Sequence, residues 1–547
     1  MKRFDVTYDI KDNHRKILPL VKSGDLLIVR MKAGKEFSDT MDKIIKDEPL
    51  HYNLLFNISN VNVYVVRVEG EENVINELRE KLSTDRDVRF AGFGFRNEQT
   101  AEPIVYTENI FIKFKNDIKK TQCEYIINKY NLIIKNEISF LKNAYFISAI
   151  EDTGDDIFTL AEDILNCEEV EYCHPELIHQ KMPKAIHPNQ WHLKKTTVRT
   201  ETDVDASANV EAAHEITRGA GITIAIIDDG FDIQHPEFMR PGKVVHPHNY
   251  EMGYENENPL PDKSNRHGTA CAGVACADGL YGASGVAPEA NLMPIRLVDG
   301  LGSMGEALAF VWAADKGADI ISCSWGPADG IWFDPDDEYH DRETELPALT
   351  RLAIDYAVEK GRNGKGCAVF FAAGNGNESV DNNGYASNDK VIAVGACNDR
   401  STRCAYSDFG KALWCTFPSG DFAHPEKFHP APLTSGIWTT DVRNQDGYNT
   451  GMTLTGDLFG NYTNKFGGTS SSCPGAAGVA ALILSVNPSL TYLEVRDIIR
   501  DSCDKIDRKN GKYDKNGHSK WYGYGRVNAE KAVLLAKCRQ EEVRDVL

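Results

Sequence analysis

The pattern of apolar and polar positions changes at about residue 221. Before it, segments with apolar residues at every second position alternate with segments whose apolar residues lie three and four apart, which predicts amphipathic strands and helices. After it, runs such as ITIAIID and AVFFAAGNG contain few polar residues and alternate with helical stretches such as GEALAFVWAADKGA. Strands without alternation are buried on both faces, so the second half predicts an α/β fold with a doubly wound parallel sheet.

The first 180 residues contain a weak internal repeat. The segment that starts at Val63 aligns without gaps with the segment that starts at Tyr145, and Ile75 then falls on Ile157. Both copies predict a strand, a helix and a strand, which gives two small α+β modules with helices on one face of a sheet. The match lies in apolar pattern more than in identity, so duplication and chance stay equally open.

Composition limits the classes of function. The chain has 547 residues, 41% hydrophobic and 26% charged, which is enough for several domains with a large core. Its formal net charge of −20 disfavours a nucleic-acid partner, because phosphate binding needs a basic surface. We expect no membrane segment, because no apolar run reaches the length of a spanning helix.

Cysteine usage and the N-terminal sequence bear on the compartment. The thirteen cysteines are scattered singly, and the first 25 residues lack the apolar stretch of a signal peptide. An odd number of cysteines without a secretion signal favours small, buried, reduced thiols over a disulfide framework. We therefore expect a cytoplasmic protein.

Four polar residues stand at or just after predicted strand ends. Asp228 ends the first buried strand, and His267 precedes a helix of small residues. Asn375 follows FFAAG, and Ser470 stands where a glycine-rich turn enters a helix. Each alone is a usual cap or turn former, but sites in such folds lie at the carboxyl ends of the strands. A hydroxyl, an imidazole, a carboxylate and an amide together are what acyl transfer needs.

The motifs IIDDGFDIQHPEF, RHGTACAG, AAGNGN and GGTSSSCP, in this order, resemble the subtilisin-like serine proteases and lean toward their kexin and furin-like branch. The similarity runs from about Gln190 to WYGYGRVNAEKAV near the end of the chain. It implies a serine endopeptidase that acts on proteins or peptides. In that family's scheme Asp228 orients His267, the general base, while Ser470 is the nucleophile and Asn375 donates to the oxyanion.

The resemblance also assigns substrate contacts. The motif SWG would pair with an extended peptide backbone, and it comprises Ser324, Trp325 and Gly326. Asp229 and Asp329 match acids that give furin-like enzymes their preference for basic residues. Three positions depart from that pattern, because uncharged residues replace acids at Ser264, Leu301 and Asn383. A preference for Arg or Lys before the scissile bond and a broader specificity both stay open.

A structural Ca²⁺ is implied by the same family. Glu237 matches a usual carboxylate ligand and Asp278 lies near the usual loop ligand. The acid expected shortly before QW is replaced around Lys184, although Gln190 could offer an amide oxygen. Oxygen donors of this kind suit Ca²⁺, while ordinary surface acids are the alternative interpretation.

The first half resembles the propeptides that precede such domains, which assist folding and block the cleft. We predict ferredoxin-like modules at residues 1–100 and 101–183, then a protease domain at 184–540. Cleavage after Lys181 or Lys184 would fit a basic preference. The first module is regulatory or propeptide-like and could bind a protein partner. The chain after the last helix is short, so we expect no extra C-terminal β-domain of the furin type.

Two other classes of function remain. The chain could be an inactive scaffold that serves as a regulatory or binding protein, although all four polar positions are intact. It could also be a serine esterase that uses the same nucleophile, although the SWG motif favours a peptide substrate.

Overall fold

The computed structural model comprises two compact units, Met1–Lys181 and Met182–Leu547. It describes residues 3–11, 14–32, 34–45, 50–58, 62–69, 72–97, 103–150, 153, 156–178, 186–198, 202–251, 254–262, 264–298, 300–424 and 429–546. Lys181 and Lys184, the expected cleavage positions, lie outside the described residues.

The described residues of the first unit form both strands and helices. Its strands are β1 (Arg3–Lys11), β2 (His14–Met31), β3 (His51–Ile58), β4 (Val63–Glu69), β5 (Val88–Asn97), β6 (Pro103–Phe114), β7 (Ile133–Glu137), β8 (Ala144–Ser148) and β9 (Val170–Ile178). Its helices are α1 (Phe37–Ile45), α2 (Glu72–Thr84), α3 (Lys120–Lys129) and α4 (Asp156–Leu165).

The two halves of this unit share one topology. Elements β2 to β5 and elements β6 to β9 each follow the order strand, helix, strand, strand, helix, strand. The first sheet runs β3-β4-β2-β5 and the second β7-β8-β6-β9, which is the same arrangement twice and is ferredoxin-like. The repeat in the sequence therefore has a counterpart in topology, at β4-α2-β5 and β8-α4-β9.

Strand pairing joins the two halves across the expected division at residue 100. Strand β5 pairs with the start of β6, through Phe95 with Ile104 and Arg96 with Pro103, so one sheet continues through both halves. This pairing covers an edge of β5 that would otherwise be open.

A buried carboxylate also joins the two halves. Glu108 on β6 is 1% exposed and pairs with Arg30 and Arg89 from the first half and with Lys135 from the second. Burial raises the pKa of Glu108, but its cationic partners outweigh burial and hold the pKa below its usual value.

The second unit contains the parallel sheet. Its strands are β10 (Thr196–Val198), β11 (Thr202–Val204), β12 (Thr223–Asp228), β13 (His248–Glu251), β14 (Tyr254–Asn256), β15 (Asn291–Leu297), β16 (Ile320–Cys323), β17 (Ala368–Ala372), β18 (Ile392–Cys397), β19 (Leu413–Pro418), β20 (Ile437–Thr440) and β21 (Tyr462–Phe466). Its helices are α5 (Val210–His214), α6 (His267–Cys276), α7 (Met304–Asp315), α8 (Ala348–Gly364), α9 (Thr469–Val486), α10 (Tyr492–Ser502) and α11 (Ala529–Val546).

The sheet order is β14-β13-β15-β12-β16-β17-β18-β19, and all strands are parallel except the edge strand β14. Successive residues of β12 face opposite cores. Ile224 and Ile226 pack with helices α6 and α9, while Ala225 and Ile227 pack with α7 and α8. The sheet is thus covered on both faces, as the unbroken apolar runs predict.

Helix α9 passes through the larger core. It is long and apolar enough to cross a membrane by composition, but 83% of it is buried inside the protein. Its small residues allow this close packing: an added Cβ at Gly475 would lie 2.3 Å from the Phe417 ring.

Candidate active site

The structure brings Asp228 and His267 into direct contact. Asp228 is the last residue of β12, and His267 is the first residue of α6. His267 Nδ1 lies 2.8 Å from Asp228 Oδ1, and the Phe466 ring packs edge-on against the imidazole at 5.5 Å. Burial lowers the pKa of His267, but the Asp228 carboxylate outweighs it and holds the pKa well above its usual value.

Ser470 lies at the N-terminus of α9, one residue after the helix begins. Gly468 directly precedes this helix and has a φ of 72°, a left-handed conformation that favours glycine. Ser470 Oγ contacts the carbonyl oxygen of Ser324 at 3.4 Å. Within the described residues Ser470 Oγ makes no hydrogen bond with His267, and such bonds are often long in unliganded enzymes. The helix N-terminus supplies free N–H groups and partial positive charge for a developing anion.

Asn375 follows β17 and contacts the residue beside Ser470. Its Oδ1 accepts from the backbone N–H of Thr469 at 2.8 Å and from the Thr469 hydroxyl at 3.1 Å. Its Nδ2 donates weakly to Asp329 Oδ2 at 3.4 Å. The amide is therefore oriented through its oxygen, and its N–H groups face away from Thr469.

The predicted peptide-pairing residues follow β16, next to β12 in the sheet. Trp325 is fixed by its ring N–H, which donates to the Ile227 carbonyl at 2.8 Å. Asp229 accepts the backbone N–H groups of His267 and Gly268, at the start of α6. Burial and the neighbouring Asp228 raise the pKa of Asp229 to about 6.

A cavity of about 400 Å³ opens beside this cluster. Its lining combines acids with exposed apolar side chains and consists of Asp228, Asp229, Asn265, His267, Leu297, Val298, Leu301, Glu306 and Trp325. Leu301 is 44% exposed, so the position where furin-like enzymes have an acid presents an apolar surface here. Asn383 lies at Gly326, where an added Cβ would be 3.2 Å from its Nδ2, and Ser264 is exposed.

The expected calcium ligands are engaged with donors and cations instead. The Glu237 carboxylate accepts four backbone N–H groups, from residues 280–283, and the Tyr462 hydroxyl. Asp278 pairs with Arg240 and with the buried Lys243, each at 3.1 Å.

Gln190, the third candidate ligand, is occupied in the same way. Its amide oxygen accepts the backbone N–H groups of His187 and Ser284. Donors and cations compete with Ca²⁺ for these oxygens, so the arrangement of this region does not favour the ion. The assignment of Glu237 and Asp278 as ligands stays a prediction.

A different group fits a hard cation. Carboxylate oxygens of Asp329, Glu378 and Asp408 lie within 4.8 Å of one another. Asp408 is 2% exposed, and burial together with the charge of Asp329 raises its pKa well above the usual value. The Asp329 pKa is raised by burial and by Glu378. These carboxylates also accept backbone N–H groups, and Glu378 lies 2.8 Å from His340 Nδ1. Three carboxylates this close together are nevertheless the kind of oxygen ligands that Ca²⁺ binds.

Sequence reasoning missed three of these neighbours. Glu378 stands three residues after Asn375, and this acid in GNGNES was an available signal. Asp408 comes from a turn with no distinctive motif. Cys271 was taken as a small buried residue; it is buried, but its Sγ lies 3.7 Å from His267 Nδ1.

Comparisons with known proteins agree with this architecture. The sequence model of the subtilase family matches residues 219–525, more than half of the chain. Over 488 residues the chain is 54% identical to a protein of Trichormus variabilis (strain ATCC 29413 / PCC 7937) named calcium-dependent protease, covering 89% of this chain and 72% of that protein. It is 31% identical over 379 residues to proprotein convertase subtilisin/kexin type 7 of Homo sapiens, covering 66% and 43% of the two chains.

A solved structure shows the same fold. The serine protease of Aeromonas sobria, crystallised with its chaperone, matches with a TM-score of 0.54 at 22% identity, over 64% of this chain and 66% of that one. The doubly wound sheet, with serine, histidine and aspartate at its carboxyl edge, is the architecture of a serine protease. The chain belongs to the subtilase family and is a subtilisin-like serine protease, with similarity also to kexin-type enzymes.

Proposed function

We propose that the chain is a serine endopeptidase in which Asp228, His267 and Ser470 form the catalytic triad. The observation that supports it most is the 2.8 Å contact between His267 Nδ1 and Asp228 Oδ1, at the sheet edge where α9 begins with Ser470. This contact fixes the tautomer in which Nδ1 carries the proton and Nε2 is available as a base.

The reaction follows from these roles. As Ser470 Oγ attacks the scissile carbonyl, its proton passes to His267 Nε2, and the imidazolium is stabilised by the Asp228 carboxylate. The C–N bond breaks when Nε2 gives this proton to the leaving amine, which leaves an acyl group on Ser470. Water then attacks the ester, loses its proton to Nε2, and the acid product leaves as Ser470 recovers its proton.

Asn375 is the proposed side-chain donor to the oxyanion, beside the backbone N–H of Ser470. Its oxygen is held by Thr469, so its Nδ2 can exchange the weak contact with Asp329 for a bond to the developing charge. Donors oriented before the reaction stabilise the transition state without reorganisation.

We propose Ca²⁺ as the structural cofactor, held by Asp329, Glu378 and Asp408. A relative that is 54% identical carries the name calcium-dependent protease, which supports this role. The bound ion would neutralise carboxylates that otherwise repel one another. It would stabilise the loop that carries Asn375, whose backbone N–H donates to Asp329 at 2.9 Å.

For specificity we propose a single Arg or Lys before the scissile bond. Three carboxylates and one Ca²⁺ leave one net negative charge next to Asn375, which favours a cationic side chain. The uncharged residues Ser264, Leu301 and Asn383 support a relaxed requirement elsewhere in the cleft rather than a strict dibasic rule.

Autoprocessing is part of the proposal. The ferredoxin-like half that ends with β9 precedes the protease unit, and the segment between Ile178 and Gln190 contains two lysines that suit the proposed specificity. The first half, residues 3–97, would then be available for a protein partner.

One experiment separates the three classes of function. The intact mass of the wild type and of Ser470→Ala would be measured with Ca²⁺ and with a chelator, followed by assays on matched peptide and ester substrates. We expect cleavage between Ile178 and Gln190, and peptide hydrolysis, only in the wild type with Ca²⁺. Activity on esters alone would indicate an esterase, and no hydrolysis of either substrate would indicate an inactive scaffold.

A further inference from the structure

The two halves of the first unit share a core as well as a sheet. Tyr106 on β6 packs its ring against Phe90 and Phe95 of the first half, with centroid distances of 5.3 and 5.7 Å. Its hydroxyl donates to the Phe93 carbonyl at 2.8 Å. The ring of Phe158 on α4 lies 5.0 Å from Phe95 and 4.8 Å from Tyr106. Helix α4 of the second half therefore packs directly against the sheet of the first half.

The sheet of the first half is apolar on both faces. Leu27 and Val29 on β2 belong to the buried cluster of helices α1 and α2. Ile28, the residue between them, belongs to the cluster that contains α3 and α4 of the second half. Strand β4 alternates in the same way, with Val65 in the second cluster and Val66 in the first. An antiparallel sheet can leave one face to solvent, but here the second half covers that face.

The second half in turn buries part of its core only through this contact. The rings of Phe158 and Tyr106 are 3% and 0% exposed, and without the first half they would lose the aromatic partners described above. Two of the three cationic partners of Glu108 would be lost as well. A module as short as residues 103–178 buries a small core and is marginally stable on its own.

We propose that residues 3–97 act as a permanent folding partner for residues 103–178, the propeptide-like half. This inference rests on the proposed function, in which the second half precedes the protease unit and blocks its cleft after self-cleavage. Only the folded form of the second half binds the cleft, so its apparent affinity falls in proportion to the fraction that is folded. The first half raises that fraction and thereby prolongs the latent state of the protease.

The structural arm of the test needs no activity. Hydrogen exchange would be measured in Ca²⁺ on the Ser470→Ala chain and on variants of that chain. Phe37 on α1 contacts the rings of Tyr52 and Tyr64 and belongs to the cluster of α1 and α2, not to the one that contains α4. We expect Phe37→Ala to lower protection at least about 10-fold in α4 as well as in α2, because unfolding of the first half uncovers α4.

A matched control separates this effect from a general loss of stability. Phe140 belongs to the second half but is 84% exposed, so Phe140→Ala should leave protection in α4 unchanged. Phe37→Leu is the milder variant for the case in which Phe37→Ala does not fold, and protection in the protease unit is the internal reference. Protection lost in α2 but kept in α4, in either Phe37 variant, would show that the second half folds alone and would overturn the proposal.

The activity arm times the delay between self-cleavage and full peptide hydrolysis in chains that keep Ser470. We expect Phe37→Leu to shorten this delay several-fold and Phe140→Ala to leave it unchanged. An unchanged delay in Phe37→Leu, although α4 has lost protection, would reject the link between folding and latency. A wild type that neither cleaves itself nor hydrolyses peptides would contradict the proposed function, while the exchange data would still decide whether the first half keeps the second half folded.

Discussion

The backbone N–H of Asn375 donates to Asp329 Oδ2 at 2.9 Å, which joins the acidic group directly to the proposed oxyanion donor. The Asn375 side chain is in turn held by Thr469, next to Ser470. Two hydrogen bonds therefore connect Asp329 with helix α9, which carries Ser470. If Ca²⁺ binds at Asp329 as proposed, this connection would let it influence the rate of reaction without contact between the ion and the scissile bond.

The first prediction concerns the graded loss of turnover. Subtilisin, on which these magnitudes were measured, loses about 10⁶-fold in turnover without its nucleophile and about 10²–10³-fold without its oxyanion asparagine. We expect Ser470→Ala to be inactive and Asn375→Ala to keep a measurable residue of activity with nearly unchanged KM. Ser472→Ala is the control, since Ser472 Oγ bonds the Phe417 carbonyl, away from the site. Equal loss in both site variants would contradict the oxyanion role.

The second prediction concerns calcium and thermal stability. At a calcium concentration about 100 times its Kd, binding adds about 2.7 kcal/mol, or roughly 3.5 °C in Tm for a unit of this size. Asp408→Asn should abolish most of that gain. In chelator the same variant should be at least as stable as the wild type, because it removes a buried charge whose pKa is raised.

Proton linkage gives the direction in which the stability contribution of Asp408 changes with pH. A carboxyl with a raised pKa in the folded state stabilises the protein below its unfolded pKa and loses this contribution as pH rises through the folded value. The chelated wild type should therefore gain Tm on acidification toward that range, and the calcium-loaded protein should not. Glu237→Gln is the comparison: a calcium response reduced in Glu237→Gln and kept in Asp408→Asn would reverse the assignment of the ion.

The third prediction concerns the pH profile. His267 must be neutral to act as a base, and its pKa is held well above the usual value. We expect kcat/KM to rise with pH through that pKa and to reach its plateau on the alkaline side. Asp228→Asn removes the charge that raises the pKa, so the acid limb should move to lower pH while the plateau falls about 10⁴-fold. An acid limb that stays in place would show that another group controls it.

The fourth prediction concerns specificity. Asn383 lies beside Gly326, where an acid is expected in furin-like enzymes. Asn383→Asp should increase kcat/KM for peptides with Arg before the scissile bond by up to about 5-fold relative to the same peptides with Gln, which corresponds to one exposed ion pair. Asn382→Asp adds the same charge one residue earlier and should change this ratio less. Equal ratios in both variants would place Asn383 outside the pocket.

The fifth prediction concerns the first unit. Glu108→Gln leaves three cations around a neutral amide and should destabilise this unit by about 3–5 kcal/mol. Glu137→Gln, which breaks an exposed pair with Lys120, should cost no more than about 1 kcal/mol. Hydrogen exchange at β5 and β6 would measure both.

The pH dependence of the stability contribution of Glu108 is opposite in sign to that of Asp408. The pKa of Glu108 is lowered in the folded state, so its contribution is present above the unfolded value and is lost as pH falls through the folded one. Acidification should therefore narrow the difference between the wild type and Glu108→Gln.

The sequence predicted the positions that depend on strand order. Asp228 and Asn375 follow parallel strands, and the carboxyl ends of such strands meet at one edge, so their proximity to the start of α9 follows from topology. The structure places them there together with His267 and Ser470.

The sequence did not predict side-chain environments that depend on whether a loop presents its N–H groups or its carbonyl groups. Glu237 occupies a ligand position, but the loop at 280–283 presents its N–H groups rather than its carbonyls, which no residue type reveals. Likewise Asp408 reaches Asp329 only through the path of a turn. The joined sheet of the first unit depends on two residue pairs between β5 and β6, which leave no pattern in the sequence.

The hydrogen bonds from the loop at residues 280–283 to Glu237 have a consequence for how activity depends on calcium concentration. The Glu237 carboxylate accepts the four backbone N–H groups of residues 280–283, so this loop is held in place without a bound ion. Within the described residues, Asp329, Glu378 and Asp408 are then the candidate group that exchanges Ca²⁺. A single independent site saturates along a simple hyperbola. Activity should accordingly rise gradually over about two decades of free calcium concentration, without the steep onset of a cooperative response.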